Sequence, residues 1–285
     1  MTVALRVAAP ADAERCGEIC YEAFAAIARA HGFPPDFPSP AAAAELFAAH
    51  LTHPGFHVLV AERDGRVVAS NMLDERGAIA GIGPITVDPA VQDGRIGRRL
   101  MEAALRRVQE QGRPGVRLVQ SAYHTRSLAL YTKLGFEIRE PLVNMQGAPL
   151  GLSVPGHAVR RATPGDQESA NALCRRVHGH DRGGELRDAI LAGTAAIVER
   201  GDRVTGYATM VGFPGHAVGE ENADIQALIG AAPAFFGPGF LVPARNGELF
   251  RWCLAHGLRV VQTMTLMSVG LYNEPRGAYL PSILY

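Results

Sequence analysis

Apolar residues along the first half recur either at every second position or at every third to fourth, and each change of period marks a new element. Alternation predicts strands near 3–7, 56–63, 66–74, 77–87, 116–122 and 136–145. The longer period predicts helices near 11–30, 41–51, 96–111 and 127–134. Between the first two helices lies His31-Gly32-Phe33-Pro34-Pro35-Asp36-Phe37-Pro38-Ser39-Pro40, a connection stiffened by proline, with two phenylalanines to place. Strands mixed with helices in this order imply an α/β layered fold.

The same punctuation returns later in the chain. Arg6-Val7-Ala8-Ala9-Pro10-Ala11-Asp12, with Cys20 eight residues after Asp12, matches Arg160-Arg161-Ala162-Thr163-Pro164-Gly165-Asp166, with Cys174 eight residues after Asp166. In both places a strand and a Pro-x-Asp turn enter a helix, and the aspartate is expected to cap it. The hairpin Val60–Val68 matches Ile197–Thr205, and the helix-glycine ending Leu128–Phe136 matches Phe250–Leu258. Three matches in one order indicate a tandem duplication, with domains at 1–147 and 157–285 joined through the Gly/Pro-rich stretch Gln146 to Gly156. The centre of the second half, from Gly212 to Pro243, is Gly-rich and irregular.

The 285 residues, 47% hydrophobic and 20% charged, can bury two cores and exclude a wholly disordered chain. Twenty-eight basic against twenty-eight acidic residues leave no net charge, which argues against nucleic acid as a partner. Four cysteines are too few for a disulfide scaffold in a chain of this length, and Cys16 and Cys20 lack neighbours to complete a zinc set. The cluster His178-Gly179-His180-Asp181 resembles a metal site only weakly, so no metal is expected. No signal peptide and no membrane span are read, and a cytoplasmic location is expected.

One segment carries specific chemistry: Gly83-Pro84-Ile85-Thr86-Val87-Asp88-Pro89-Ala90-Val91-Gln92-Asp93-Gly94-Arg95-Ile96-Gly97-Arg98-Arg99-Leu100-Met101. A strand ends at a turn that opens a strongly periodic helix. The first amides of such a helix have no intrahelical acceptors, and its dipole favours an anion there. Gly94 and Gly97 permit close approach, and Arg95, Arg98 and Arg99 add positive charge. Read from these residues, the turn suits a pyrophosphate; a plain strand-turn-helix with surface arginines is the alternative.

This turn resembles the acyl-CoA-binding motif of the GNAT superfamily of N-acyltransferases, Gln/Arg-x-x-Gly-x-Gly/Ala. Gln92 matches its first position and Gly97 its last, while Arg95 holds the middle glycine's place. Gly94, one residue early, is expected to supply the tight turn. The segment His124 to Phe136 is similar to the family's Asn-x-x-Ala-x-x-x-Tyr-x-x-x-Gly-Phe, with Tyr131, Gly135 and Phe136 matching and His124 and Ser127 in place of asparagine and alanine. The resemblance implies two tandem GNAT-like domains, each a central mixed, mostly antiparallel twisted sheet flanked by helices. It implies a cofactor site made from Ile85, Thr86, Val87, Gln92, Asp93, Gly94, Arg95, Ile96, Gly97, Arg98, Ser127 and Tyr131. Ile85–Val87 would splay from the strand near 116–122 and bind the pantetheine arm through backbone, and Tyr131 would protonate the departing thiolate.

The base is open: the strand near 77–87 has no carboxylate, Asp74 and Glu75 precede it, and His124 is a candidate either as base or beside the cofactor. Phe33 and Phe37 are candidates to cover an acceptor with an apolar part, or else to pack in the core; Glu18, Glu22 and Asp36 could attract a cationic amine. The second half shows no phosphate cradle, and Cys253 stands where Tyr131 stands in the first. The expected function is direct acetyl transfer from acetyl-CoA to a small primary amine by the first half of a monomer or homodimer. The second half would be degenerate, and the alternative is a non-catalytic acyl-CoA sensor.

Overall fold

In the computed structural model, which describes residues 3–92 and 94–284, strands and helices follow the order that the periodicity predicts. The first half runs β1 (Val3–Val7), α1 (Ala13–Ala30), α2 (Pro40–Leu51), β2 (Phe56–Arg63), β3 (Arg66–Asp74), β4 (Ala80–Val87), α3 (Ile96–Glu110), β5 (Gly115–Ser121), α4 (Thr125–Lys133) and β6 (Glu137–Gln146). The second runs β7 (Ala158–Arg161), α5 (Gln167–His178), α6 (Gly183–Ala192), β8 (Ala196–Arg200), β9 (Arg203–Ala208), β10 (Ala217–Gly219), α7 (Asn222–Ala231), β11 (Phe240–Pro243), α8 (Gly247–Ala255), β12 (Arg259–Gly270) and β13 (Ala278–Leu280).

The duplication appears as repeated local chemistry. Arg6 reaches Asp12 at 2.7 Å and Glu62 at 2.8 Å; Arg160 reaches Asp166 and Glu199, both at 2.6 Å. Each aspartate accepts the backbone N–H three residues before it, from Ala9 and Thr163, at 2.7 Å. The aspartates therefore close a short 3-10 turn ahead of the helix and do not cap the helix with their side chains, which corrects the expectation from sequence. Asp64 and Gly65 both take positive φ, 52° and 76°, so β2 and β3 are joined by the primed turn whose twist suits a hairpin.

The strands form two sheets, ordered β1-β2-β3-β4-β5-β12-β6-β11 and β13-β10-β9-β8-β7. Strands β6 of the first half and β12 of the second cross over. β12 lies antiparallel to β5, from Met264↔Ser121 to Gly270↔Gly115, and β6 lies antiparallel to β11. β12 and β6 then pair with each other through Thr265↔Pro141. The exchange gives a partner to edges that would otherwise stand open at β5 and β6. β4 and β5 are parallel at only two pairs, Ala80↔Val116 and Gly81↔Arg117, and then diverge.

Both faces of the large sheet are covered. α3 and α4 bury Met101, Ala104, Tyr131 and Phe136 against Ile82, Leu118 and Met267, the last of these from the second half. α1 and α2 bury Cys16, Ile19, Cys20 and Phe47 against Val58, Val60 and Met72. All four cysteines are buried free thiols.

Candidate active site

The divergence of β4 from β5 begins at a bulge. β3 advances from Asn71 to Leu73 while β4 passes from Ile85 back to Ile82, one residue more, through Gly83–Pro84. Beyond Gly81 the ladder with β5 stops, so the edge of β4 at Ile85, Thr86 and Val87 faces a gap with its backbone unpaired on that side. Their side chains are already engaged: Thr86 Oγ1 lies 3.2 Å from Ser70 Oγ, and Ile85 and Val87 pack beneath α3. What these residues offer to the gap is main chain.

The turn into α3 adopts a conformation that differs from the expectation. Arg95, not Gly94, takes the left-handed conformation, with φ 59° and ψ 14°. The left-handed position thus remains where the motif puts its glycine, held by a residue for which it costs about 1–2 kcal/mol. Arg95 supplies no side-chain cap to α3, whereas Ser39 caps α2 and His124 caps α4. A β-carbon on Gly97 would lie 3.6 Å from Val87 and 4.0 Å from Leu130. The end of β4, the start of α3 and the middle of α4 thus converge on one glycine. Gln92 donates from Nε2 to the Val87 carbonyl at 3.3 Å and ties the turn to the strand. Arg98 is held by Glu102 and Arg99 by the Val3 carbonyl, which leaves the Arg95 guanidinium without a partner among the described residues. Ile96 is buried under α3; Asp93 lies outside the described residues.

On α4, Tyr131 is buried with its ring 6.0 Å from that of Phe136, and burial pushes its phenol up to about 12, with Ser127 opposing. It therefore stays protonated at neutral pH and keeps a proton to give. His124 has a different part from the one expected. Its Nδ1 accepts the Ser127 N–H at 3.1 Å, capping the helix, and its Nε2 lies 3.4 Å from Ser127 Oγ. Burial lowers its pKa, so the ring is neutral, and the lone pair that a base would use is occupied by the cap. His124 does for α4 what Asn246 does for α8, where the amide oxygen accepts Leu249 N–H at 3.2 Å, and a ring engaged in this way argues against its use as a base. Asp74 and Glu75 are engaged as well, with Arg76 and Arg107, each at 2.6 Å.

Across the gap, the α1–α2 connection treats its two phenylalanines differently. Phe33 stacks on Tyr123, with centroids 4.5 Å apart and planes 9° apart, over the turn between β5 and α4. Phe37 instead stacks on Phe24 of α1 at 6.3 Å and joins the core, so it is not brought to the gap. Asp36, between them, meets Gln262 of β12, whose Nε2 lies 3.5 Å from Asp36 Oδ1. Tyr123 and Gln262 were not found from sequence. Gln262 lies more than two hundred residues from Asp36, and only the crossing of β12 brings it here.

Residues 21–136 match the model of the acetyltransferase (GNAT) family. Over 104 residues the chain is 33% identical to an IAA acetyltransferase of Azospirillum brasilense, a stretch that covers 36% of this chain and 68% of the relative. The chain belongs to the GNAT acetyltransferase family. It is an acyltransferase, and the family's tandem arrangement extends over both halves. A putative acetyltransferase from Pyrococcus horikoshii superposes with a TM-score of 0.73 at 19% identity, covering 97% of this chain and 94% of that one. A tandem GNAT protein from the clavulanic acid biosynthesis pathway superposes with a TM-score of 0.55 at 13% identity, covering 94% and 98%.

Set beside the first half, the second differs at the corresponding places. Where the first leads from β4 to a turn whose Arg95 guanidinium has no partner among the described residues, the second leads from β10 to Glu220 and Glu221 ahead of α7. Arg176, Arg200 and Arg203 all bind Glu220. β10 and β11 belong to different sheets, and β13 pairs along β10 on the edge away from β9. The counterpart of Tyr131 is Cys253, a buried thiol that burial pushes up to about 12. Among the described residues no group of three or more His, Cys, Asp or Glu side chains could hold a metal ion. No helix among them is long and apolar enough to cross a membrane.

Proposed function

We propose that the chain transfers the acetyl group of acetyl-CoA to a primary amine, with the chemistry confined to the first half, residues 1–147, and the second half, residues 157–285, degenerate. The observation that carries this reading is the meeting of Val87 and Leu130 at Gly97, two residues after a left-handed Arg95. That meeting sets the uncapped amides of α3 beside the open edge of β4. The amides of Ile96, Gly97 and Arg98 would receive the diphosphate, with Arg95 adding charge. The main chain of Ile85–Val87 would pair with the pantetheine amides, and an amide there would polarise the thioester carbonyl.

The amine attacks that carbonyl directly, forming the C–N bond as the C–S bond breaks. The CoA thiolate takes its proton from Tyr131, and the amine's proton passes to water. No carboxylate on β4 assists, so an acceptor that arrives as an ammonium gives its proton to water before it attacks. Calorimetry with acetyl-CoA, followed by release of free CoA against a panel of amines, tests the reading. Acetyl-CoA bound once per chain and consumed with an amine is the expected result. Binding without turnover on any amine would support a sensor in its place, and no binding would remove the assignment.

A further inference from the structure

The acceptor side of the gap contains a pair of polar groups that the first half cannot assemble alone. Asp36 sits in the α1–α2 connection against Cys20 of α1, Tyr123 and Gln262. Among the described residues Gln262 is its one hydrogen-bond partner, and no arginine, lysine or histidine forms an ion pair with it. Asp36 is half-buried, and a partly desolvated carboxylate with no cation is unfavourable unless something supplies the missing charge. Gln262 is 3% exposed; its Nε2 faces Asp36 at 3.5 Å, longer than a good hydrogen bond, and its Oε1 is buried with no partner. The Asp36 carboxylate thus has one long contact from a donor, and the oxygen of the same Gln262 amide has none. Next to them stand the flat faces of Tyr123 and Phe33, with His31 5.1 Å from Tyr123.

We propose that Asp36 of the first half and Gln262 of the second together bind the ammonium group of a primary amine whose adjoining part is apolar and flat, held against Tyr123 and Phe33. The ammonium would donate to the Asp36 carboxylate and to Gln262 Oε1, supplying the charge and the donors that the pair lacks. The aromatic faces suit an aryl-alkyl neighbour. Recognition is of the ammonium form, whose proton leaves to water before attack. In this view the second repeat carries part of the acceptor specificity through its exchanged strand. The assignment rests on the first half being an acetyl-CoA-dependent amine acetyltransferase.

The test uses the full chain with phenethylamine as acceptor, comparing wild type with Asp36→Asn and the volume-conserving Gln262→Met. Each variant is first checked for an unchanged melting curve and for acetyl-CoA affinity by calorimetry. The expected outcome is acetyl-CoA affinity unchanged, kcat little altered, and a KM for phenethylamine raised about tenfold or more in Asp36→Asn and several-fold in Gln262→Met. Acetyl-CoA binding with a phenethylamine KM insensitive to both substitutions overturns the acceptor site alone, as does binding of acetyl-CoA with no turnover of phenethylamine. Failure of the wild type to bind acetyl-CoA overturns the underlying function and this site with it.

Discussion

Replacing Gly97 by alanine separates the two demands made on the start of α3. A β-carbon there meets only Val87 at 3.6 Å and Leu130 at 4.0 Å, ordinary contact distances, so the fold accepts the methyl without moving. Glycine within a helix is less stable than alanine by about 0.5–1 kcal/mol, and position 97 is the second residue of α3. The apo protein should therefore melt about 1–3 °C higher. The methyl also projects where a diphosphate would approach the amides. Losing one charge-assisted bond from such an amide costs about 1.5–3 kcal/mol, so acetyl-CoA should bind roughly tenfold to a hundredfold more weakly. Melting without ligand and titration calorimetry with acetyl-CoA read the two effects on one sample. A variant that melts higher and binds acetyl-CoA as tightly as wild type would refute the placement of the diphosphate on Gly97.

Tyr131→Phe keeps the buried ring and removes the proton donor; turnover should fall about a hundredfold while acetyl-CoA affinity holds, and equal turnover would end its role as acid. His124→Asn should preserve the cap of α4, and His124→Ala should cost about 1 kcal/mol in urea unfolding; an intact kcat in the asparagine variant would exclude His124 as base. Glu185 is buried between Arg182 at 2.6 Å and His216 at 3.0 Å. Burial alone would raise its pKa, but Arg182 and His216 outweigh that and hold it well below the usual carboxylate range. Its contribution to stability is therefore present above the unfolded carboxylate pKa and lost as pH falls below it. Glu185→Gln should destabilise by about 3–5 kcal/mol at pH 7 and flatten the acid side of a melting-temperature profile; an unchanged profile would show the cluster to be inert.

The readable parts of this protein were the local ones. The Pro-x-Asp turns, the hairpins and the glycine ends of α4 and α8 are short-range signals, and their repetition disclosed the duplication. The turn at Gln92–Gly97 and the spacing to Tyr131 were legible because a strand end, a helix start and a second helix must keep fixed intervals to meet. Which residue takes the left-handed conformation was not legible. Gly94 is the residue for which it costs nothing, yet the helix register assigns it to Arg95. His124 looked like chemistry because imidazole serves either as base or as cap, and only the 3.1 Å contact with Ser127 N–H decides. The crossing of β12 and β6 left no trace in periodicity, since an inward-facing strand reads the same whichever neighbour it pairs with. Gln262 was hidden for the same reason.

The exchange of β6 and β12 bears on how such a chain can change. A fragment ending within the Gln146–Gly156 connector would bare the flank of β5 that β12 now covers, along seven paired positions from Ser121 to Gly115. The second half therefore stays indispensable to the first whatever its own chemistry, because the first half cannot cover the flank of β5 by itself. Drift in one repeat is free only where it does not touch that borrowed ribbon. A constraint on the first half therefore reaches across the length of the polypeptide.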